Sequence, residues 1–395
     1  MTLSFRPARA EDLDRLIAIH SAAYPDDRSH DARVRNFIDN PLGTLDDLWV
    51  AEECSILVGH AFLYRMRAWF GGAPVPVGGI ASLAVAPESR RAGIATGLIA
   101  HLHDVARERG DALTVLYPFR RQFYGRLGYA ATSPYRRLRF APAAVAWKRE
   151  LKARAAAGAD RGAMIAAWDA AARAGTGALV RTERIWNLRL ADERSTWLVV
   201  EGQEGVQGYA AWTVERPEPR GEPMLVVHEL AAHSHRAARS LWAAVGTQRD
   251  QVAMVRVDVS EDDPMDRALL EGEPSCAGDP LQRPIGELML GPMVRMVDLE
   301  RALSARGWRA SGRLVFETEE GAAELDVSGG IATVLKTGAE PDVRLDRITL
   351  AAVAFGGLRP SQAARLGWVT ARDEAALALA DTLLALPPYF SSERF

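Results

Sequence analysis

Cysteine is scarce: Cys54 and Cys276 are the only two in 395 residues. Thiols so few and so far apart argue against a disulfide framework and fit a reducing cytoplasm, and both read as small buried hydrophobes. Long apolar runs are missing too. Nothing approaches the roughly 18 consecutive apolar residues of a membrane helix, so no membrane span is expected. The opening Met1-Thr2-Leu3-Ser4-Phe5-Arg6 lacks the apolar core of a signal segment and reads directly into a strand. Neither sign of charge dominates, and a formal net charge of -3 gives no general pull toward nucleic acid. No metal is expected either. His101 and His103 point to different faces of an expected helix, His233 and His235 fall in an expected loop, and neither pair has a third ligand at sensible spacing. A Gly-x-Ser-x-Gly elbow, a Gly-Lys-Ser/Thr phosphate loop and a Rossmann glycine triplet are likewise absent.

What is present is an ordinary globular balance, 48% hydrophobic and 25% charged, in a chain long enough for two or three domains. Residues 1–145 read as a mixed α/β unit. Strands are expected over 3–6, 48–53, 57–69, 75–85 and 112–117, with closing pieces near Tyr129 and over 135–140. Helices are expected over 11–23 and from Ile94 to the stop at Gly110. Residues 146–285 open with Ala/Arg-rich sequence that reads as helix over 147–157 and 163–173. A hairpin follows, then a strand, a helix over 237–246 and another strand. That order repeats the first unit and reads as a drifted internal duplication. Residues 286–395 read as a helix over 293–305, short strands, and helices over 348–355, 361–366 and 374–384. The tail from Pro387 to Phe395 holds three aromatic residues, more than a fraying end needs.

The strongest chemical signal follows the apolar strand that ends at Val85. A Pro turn leads to Arg90-Arg91-Ala92-Gly93-Ile94-Ala95 at the start of a helix. A helix N-terminus presents unpaired N–H groups and the positive end of its dipole, which together suit a phosphate or pyrophosphate. Two arginines there oppose the dipole unless an anion lies between them, so a purely local role is disfavoured. Alone, the loop supports only an acyl-CoA or phosphate binder.

The pattern Arg90-x-x-Gly93-x-Ala95 resembles the (Gln/Arg)-x-x-Gly-x-(Gly/Ala) loop of the GCN5-related N-acetyltransferases (GNAT). The preceding Ser82-Leu83-Ala84-Val85 and the later Phe123-Tyr124-Gly125-Arg126-Leu127-Gly128-Tyr129 are similar to the same family. A duplicated unit of this kind followed by a third domain resembles the Eis (enhanced intracellular survival) family. There the third domain looks like a sterol-carrier-protein fold, and the segment from Ile348 to Ser361 resembles that fold's helix-turn segment. The resemblance implies an α/β chain: two tandem GNAT-type mixed-sheet domains, catalytic over 1–145 and degenerate over 146–285, plus a sterol-carrier-like α+β domain over 286–395.

It also implies a reaction. An amine attacks acetyl-CoA directly in a ternary complex. Leu83, Ala84 and Val85 would serve the pantetheine arm and thioester. Arg90, Arg91, Ala92, Gly93, Ile94, Ala95 and Thr96 would take the pyrophosphate, flanked by Phe119 and Arg120. Tyr124 would be the proton donor to the leaving sulfur, and the C-terminal carboxylate of Phe395 the proton acceptor. Tyr24, Asp26, Phe37 and Glu393 fall where the family lines its acceptor pocket, although a solvated loop and helix face explains the first three equally well. The acceptor stays open among aminoglycosides, lysine side chains or peptides and other polyamines. Arg394 beside Phe395 departs from a polycation-drawing tail. The second unit has Glu229-Leu230-Ala231-Ala232-His233-Ser234-His235 where the loop should fall, so one site per chain is expected. A cytoplasmic homo-oligomer, a hexamer, is what the resemblance suggests. A different class stays open: a non-catalytic acyl-CoA or lipid-binding protein that uses the sterol-carrier-like domain.

Overall fold

The computed structural model describes residues 3–26, 28–216, 221–269 and 284–395; Asp27, Cys276 and residues 217–220 lie outside them. Strand β1 (Leu3–Pro7) leads to helices α1 (Leu13–Ala23) and α2 (His30–Ile38). Strands β2 (Leu48–Glu53), β3 (Ile56–Phe70) and β4 (Ala73–Val85) follow, then helix α3 (Ile94–Glu108), β5 (Leu113–Leu116), α4 (Arg121–Gly125) and β6 (Ala130–Ala131). Cys54 and Ser55 join β2 to β3 with φ of 51° and 64°, the left-handed pair that a two-residue hairpin needs. That turn leaves Cys54 exposed, against the expectation of a buried hydrophobe.

The chain continues through β7 (Tyr135–Phe140), β8 (Lys152–Ala155), α5 (Arg161–Ala174), α6 (Glu183–Leu190), β9 (Thr196–Gly202), β10 (Gly205–Glu215) and β11 (Met224–Ala232). Then come α7 (His235–Gly246), β12 (Met254–Ser260), α8 (Met265–Ala268), β13 (Gly286–Met289) and β14 (Met293–Met296). The last part is α9 (Leu299–Ala305), β15 (Gly312–Thr318), β16 (Gly321–Ser328), β17 (Ile331–Lys336), β18 (Val343–Arg344), α10 (Arg347–Phe355), α11 (Pro360–Arg365), β19 (Thr370–Ala371) and α12 (Glu374–Leu384). Three sheets result, in the orders β1-β2-β3-β4-β5-β14-β6, β13-β7-β12-β11-β10-β9-β8 and β17-β16-β15-β18-β19. The first two repeat one plan: an antiparallel meander whose last long strand pairs in parallel with the next after a helical crossover.

Three sequence expectations are corrected here. Strand β7, expected to close the first unit, pairs with β12 in the second sheet. Residues 293–296, expected as the start of a helix, form β14 and pair antiparallel with β5. Cuts at 145 and 285 therefore do not separate the sheets. The physical reason lies in Met293, Val294, Met296 and Val297, all buried. They are apolar on both faces, which suits a central strand. The helix begins only where the Asp298 side chain accepts the Arg301 N–H. The Ala-rich stretch over 147–157 is not a helix either. Its Lys152–Ala155 pairs with β9, and Arg154 bridges Asp160 and Glu201, so pairing overrides propensity.

In the third unit, Leu303, Leu314, Phe316, Leu325, Val343, Leu345, Leu350 and Leu384 meet face to face and enclose no space that would hold even a water. Arg306, 2% exposed, crosses the bottom of this core. Its guanidinium donates to the Ala354 and Leu384 carbonyls at the ends of α10 and α12 and lies 4.0 Å over the Trp308 ring. Burial pulls its pKa down to about 9, still charged at neutral pH.

Backbone contacts also tie the units together, at two places among others. Residues 176–181 run along the part of β3 that β2 leaves open, with Gly177 N–H on Trp69 O, Trp69 N–H on Ala178 O and Val180 N–H on Arg67 O. At the β3–β4 turn, Gly71 (φ 62°) lies against Gly307, whose N–H donates to Phe70 O at 3.0 Å. A Cβ on Gly71 would fall 2.0 Å from the Gly307 carbonyl oxygen. Gly71→Ala combines a left-handed φ with a backbone clash, and is expected to cost about 3 kcal/mol. Urea denaturation measures it; a loss under about 0.5 kcal/mol would mean that this contact is not close in solution.

Candidate active site

Parallel pairing of β4 with β5 stops at Ile80 and Leu116, but β4 runs on to Val85. Ser82, at φ 51°, marks a bulge where the register with β3 slips between His60 and Phe62. The two strands therefore part beyond Ile80, and the β4 backbone at Leu83, Ala84 and Val85 borders an open wedge. The hydroxyl of Tyr24, the residue that ends α1, donates to the Leu83 carbonyl at 3.0 Å.

Below the wedge sits the start of α3. Gly93 ends the loop at φ 81° and no side chain caps the helix. The first internal bond runs from Gly97 N–H to Gly93 O at 2.9 Å. Among the described residues nothing accepts the N–H groups of Ile94, Ala95 and Thr96. Arg91 also has a positive φ, 66°, and such alternating backbone is what anion-binding nests are made of. A Cβ on Gly93 would meet nothing within 4 Å, so glycine is needed there for its φ rather than for room. Ile94 is buried against Ala51 and Val58 and pins the helix start. The arginines differ. Arg90 turns back, its guanidinium on the Val85 and Ala22 carbonyls at 3.3 Å each, so it shapes the loop instead of facing an anion. Arg91 is exposed and has no partner among the described residues.

Tyr124 comes from α4 and is 3% exposed. Its ring meets Phe123, Phe119 and Tyr129 edge-on at centroid distances of 4.9, 5.4 and 6.0 Å. No described group hydrogen-bonds its hydroxyl. Burial, and to a smaller degree Tyr24 and Tyr129, pushes the phenol well above its ordinary value. Phe119 is 66% exposed at the same rim, beside the exposed Arg120.

The C-terminal tail reaches this region from the far end of the chain. Tyr389 is buried against Gly177, where a Cβ would lie 2.4 Å from the phenol ring. Phe390 N–H donates to Thr176 O at 2.9 Å. The Glu393 carbonyl accepts from the Tyr117 hydroxyl at 2.9 Å. The Phe395 ring lies edge-on to Tyr117 (5.5 Å) and Tyr64 (6.4 Å) and beside Gly79 of β4. Among the described residues no ion pair engages the terminal carboxylate.

Three expected pocket residues turn out otherwise. Glu393 is 7% exposed and accepts from Arg181 at 2.6 Å, while Arg181 also binds the buried Glu229. Its charge is spent within the protein. Phe37 is fully buried against His20, His60 and Phe62 and cannot touch a ligand. Asp26 is paired with Arg28 and Arg33. Sequence reasoning passed over His20 and His60, which stack at 5.6 Å. Both ring nitrogens of His60 and Nδ1 of His20 are buried without a partner. Nothing in the sequence marks them, because each is one polar residue in an apolar periodic run.

The second sheet repeats the wedge but not the helix start. Strand β11 pairs with β12 only as far as Val227 and Val257, and its register with β10 slips there too. At α7, however, Ser234 accepts the Ala237 N–H at 3.1 Å. The position that is open in α3 is closed by the protein itself.

Residues 4–132 match the model of an acetyltransferase (GNAT) domain, residues 177–295 that of a second such domain, and residues 299–391 that of a sterol carrier protein domain. The chain is 24% identical over 352 residues to N-acetyltransferase Eis of Mycobacterium tuberculosis (strain ATCC 25177 / H37Ra), covering 84% of each. It is 28% identical over 373 residues to an uncharacterised N-acetyltransferase of Streptomyces coelicolor, covering 87% of this chain and 86% of that one. In fold it is similar to a GCN5-related N-acetyltransferase from Anabaena variabilis (TM-score 0.85, 22% identity, all of both chains) and to Eis1 from Mycobacterium abscessus (TM-score 0.78, 22% identity, all of both chains).

The imidazoles beside the wedge give a pH prediction. Burial lowers the pKa of His20 to about 4 and of His60 to about 3. A group that binds its proton more readily when unfolded leaves full stability above about 6.5, and that stability drains as the pH falls toward 4 and then 3. His60→Leu should therefore flatten the loss between pH 6.5 and 4.5 by about 1.4 kcal/mol per pH unit, one proton's worth. Urea midpoints across that range test it; parallel curves for the two proteins would show that His60 is not buried neutral.

Proposed function

Because the chain belongs to the GNAT superfamily, is of the Eis type and is an acetyl-CoA-dependent N-acetyltransferase with two tandem GNAT domains and a sterol-carrier-like domain, we propose that it transfers acetyl to a primary amine at the β4–β5 wedge of the first domain. One observation carries this reading most directly. The uncapped start of α3 and the unbonded Tyr124 hydroxyl both belong to the first domain, whereas the corresponding helix start in the second is closed by Ser234.

Bound acetyl-CoA would supply an activated acyl thioester. The N–H groups from Ala92 to Thr96 and the free Arg91 hold the pyrophosphate. Backbone groups of Leu83, Ala84 and Val85 guide the pantetheine arm, and Phe119 and Arg120 flank it. Tyr124 donates to the departing sulfur. With its pKa raised, it stays protonated at every working pH and stabilises the sulfur by a hydrogen bond rather than by outright transfer, since a thiol ordinarily titrates at about 8.5. The carboxylate of Phe395 takes the proton of the attacking amine. Much of the gain comes from holding amine and thioester in line. The carrier alternative gains nothing from the Leu303, Phe316 and Leu384 cluster of the third domain, which leaves no room for a ligand.

Tyr124→Phe should lower kcat by about 100-fold and leave acetyl-CoA affinity within about twofold in a binding titration. Retained kcat would remove Tyr124 from the reaction. Adding one glycine after Phe395 moves the carboxylate by a residue and should lower kcat similarly; unchanged turnover would sink its role as base.

A further inference from the structure

Two cavities lie near the tail, and the tail itself walls one of them. The larger, about 540 Å³, lies on the second sheet beneath α6 and is walled in part by Phe390–Arg394. The smaller, about 410 Å³, lies along β3. They share Pro41, Leu42 and Ile185. Phe395 is near both through its neighbours. Arg394, one residue before it, lines the larger, and Met66, which lines the smaller, crowds the same side of Gly79 as the Phe395 ring. Consecutive Cα atoms are about 3.8 Å apart, so the larger cavity opens within a residue of the terminal carboxylate.

The charge of the walls is one-sided. Eight arginines line the two cavities, against four carboxylates. Every one of the four already meets an arginine: Asp192 with Arg194 at 2.9 Å, Asp258 with Arg137 at 2.8 Å and Arg394 at 2.6 Å, Glu393 with Arg181 at 2.5 Å, and Asp111 with Arg109 at 2.5 Å. Some wall arginines are themselves held from behind. Glu229 reaches Arg189 at 3.2 Å, Glu215 reaches Arg256 at 3.2 Å and Asp47 reaches Arg65 at 3.5 Å. Among the described residues Arg67 has only the Pro74 carbonyl. Arg256 makes its one contact through one nitrogen and keeps donors to spare. The only other ionisable wall group, His228, is pushed toward its neutral form chiefly by burial. Apart from the terminal carboxylate, a polycation would find no unpaired carboxylate here; an anion would find ready donors.

Resting on the transferase reading above, we propose that the acceptor is an amine that carries its own carboxylate or phosphate, held by wall arginines with Arg256 foremost, and that polycationic amines are disfavoured. The anion sits in the cavity while the amine extends past Arg394 to Phe395. Arginine suits this task because its planar fork meets a carboxylate or phosphate through two bonds at once.

The test uses acceptor pairs that differ in the anion alone: lysine against cadaverine, ornithine against putrescine, and glucosamine 6-phosphate against glucosamine. Thiol release from acetyl-CoA is the readout. The anionic member of at least one pair should show a kcat/KM about tenfold or more above its partner. Arg256→Gln should narrow that ratio by raising KM for the anionic member, with little change for the neutral or cationic one. Equal or reversed preference in every pair, with turnover present, would overturn the proposal and leave the transferase reading standing. No turnover of any amine by protein that still binds acetyl-CoA would overturn both.

Discussion

Arg181 has a side chain with no solvent exposure, and the arrangement of the whole chain turns on it. Taking a guanidinium out of water costs several kcal/mol unless charge and hydrogen bonds replace the lost hydration. Here Glu229 of the second sheet and Glu393 of the tail supply the charge, Arg189 balances the pair, and the rings of Trp168 and Trp186 lie 3.4 and 4.7 Å from the guanidinium carbon. The backbone beside Arg181 is meanwhile bonded to β3 through Val180. One side chain thus refers the first sheet, the second sheet and the tail to a common point. A buried ion cluster of this kind adds little net stability over an apolar replacement, but losing one member leaves an uncompensated charge. Its effect is to forbid other positions of Glu393, and with it of Phe395 two residues later.

The two acetyltransferase-type domains share a frame and differ at one point. Both keep the parting parallel strands, the bulge and the crossover helix. The difference is at the helix start. Gly93 in the left-handed region with no side chain leaves three N–H groups for a guest; Ser234 in an extended conformation spends one of them on its own hydroxyl. A serine cap typically stabilises a helix by about 1 kcal/mol. The second domain thus closes with its own side chain a helix start that the first leaves open.

Much of this was legible in the residues. The loop from Arg90 to Ala95 announced itself because the backbone requirement, glycine at a positive φ, coincides with the chemical one. The aromatic tail announced itself because Tyr389, Phe390 and Phe395 have no cause to be aromatic in water. Other features were hidden for definite reasons. The exchange of β7 and β14 between sheets depends on pairing across more than 100 residues, while Met293–Val294–Arg295–Met296 carries no period that separates strand from helix. Strand β8 was read as helix from its alanines, yet the free edge of β9 decides it. Glu393 was placed in the acceptor pocket, and its partner, Arg181, lies more than 200 residues away in sequence. Arg90 and Arg91 look alike in the motif, and only the backbone course distinguishes the one that folds back from the one left free.

The tail raises a question of basicity. A carboxylate that must accept a proton is weakened by any cation beside it, since the charged form is favoured and the pKa falls. Phe395 follows an arginine, a poor neighbour for a base unless its charge is taken elsewhere. The structure turns that arginine away: Arg394 donates to Asp258 at 2.6 Å and to the Tyr135 hydroxyl at 2.6 Å, and lies over the Tyr135 ring at 5.0 Å. Asp258 is in turn held by Arg137, so the arrangement is fixed from both ends. Meanwhile Tyr117, through the Glu393 carbonyl, and Gly79, through the Phe395 ring, hold the last residues without charge. The tail is thus anchored by apolar and neutral contacts next to the proposed base and by ionic ones away from it. This division orders the chain end, reducing the entropy that a free terminus would lose on each turnover, and leaves its carboxylate without a competing ion pair. It also explains why a penultimate arginine is compatible with the proposed reaction: its charge belongs to the cavity wall and to Asp258, not to the base.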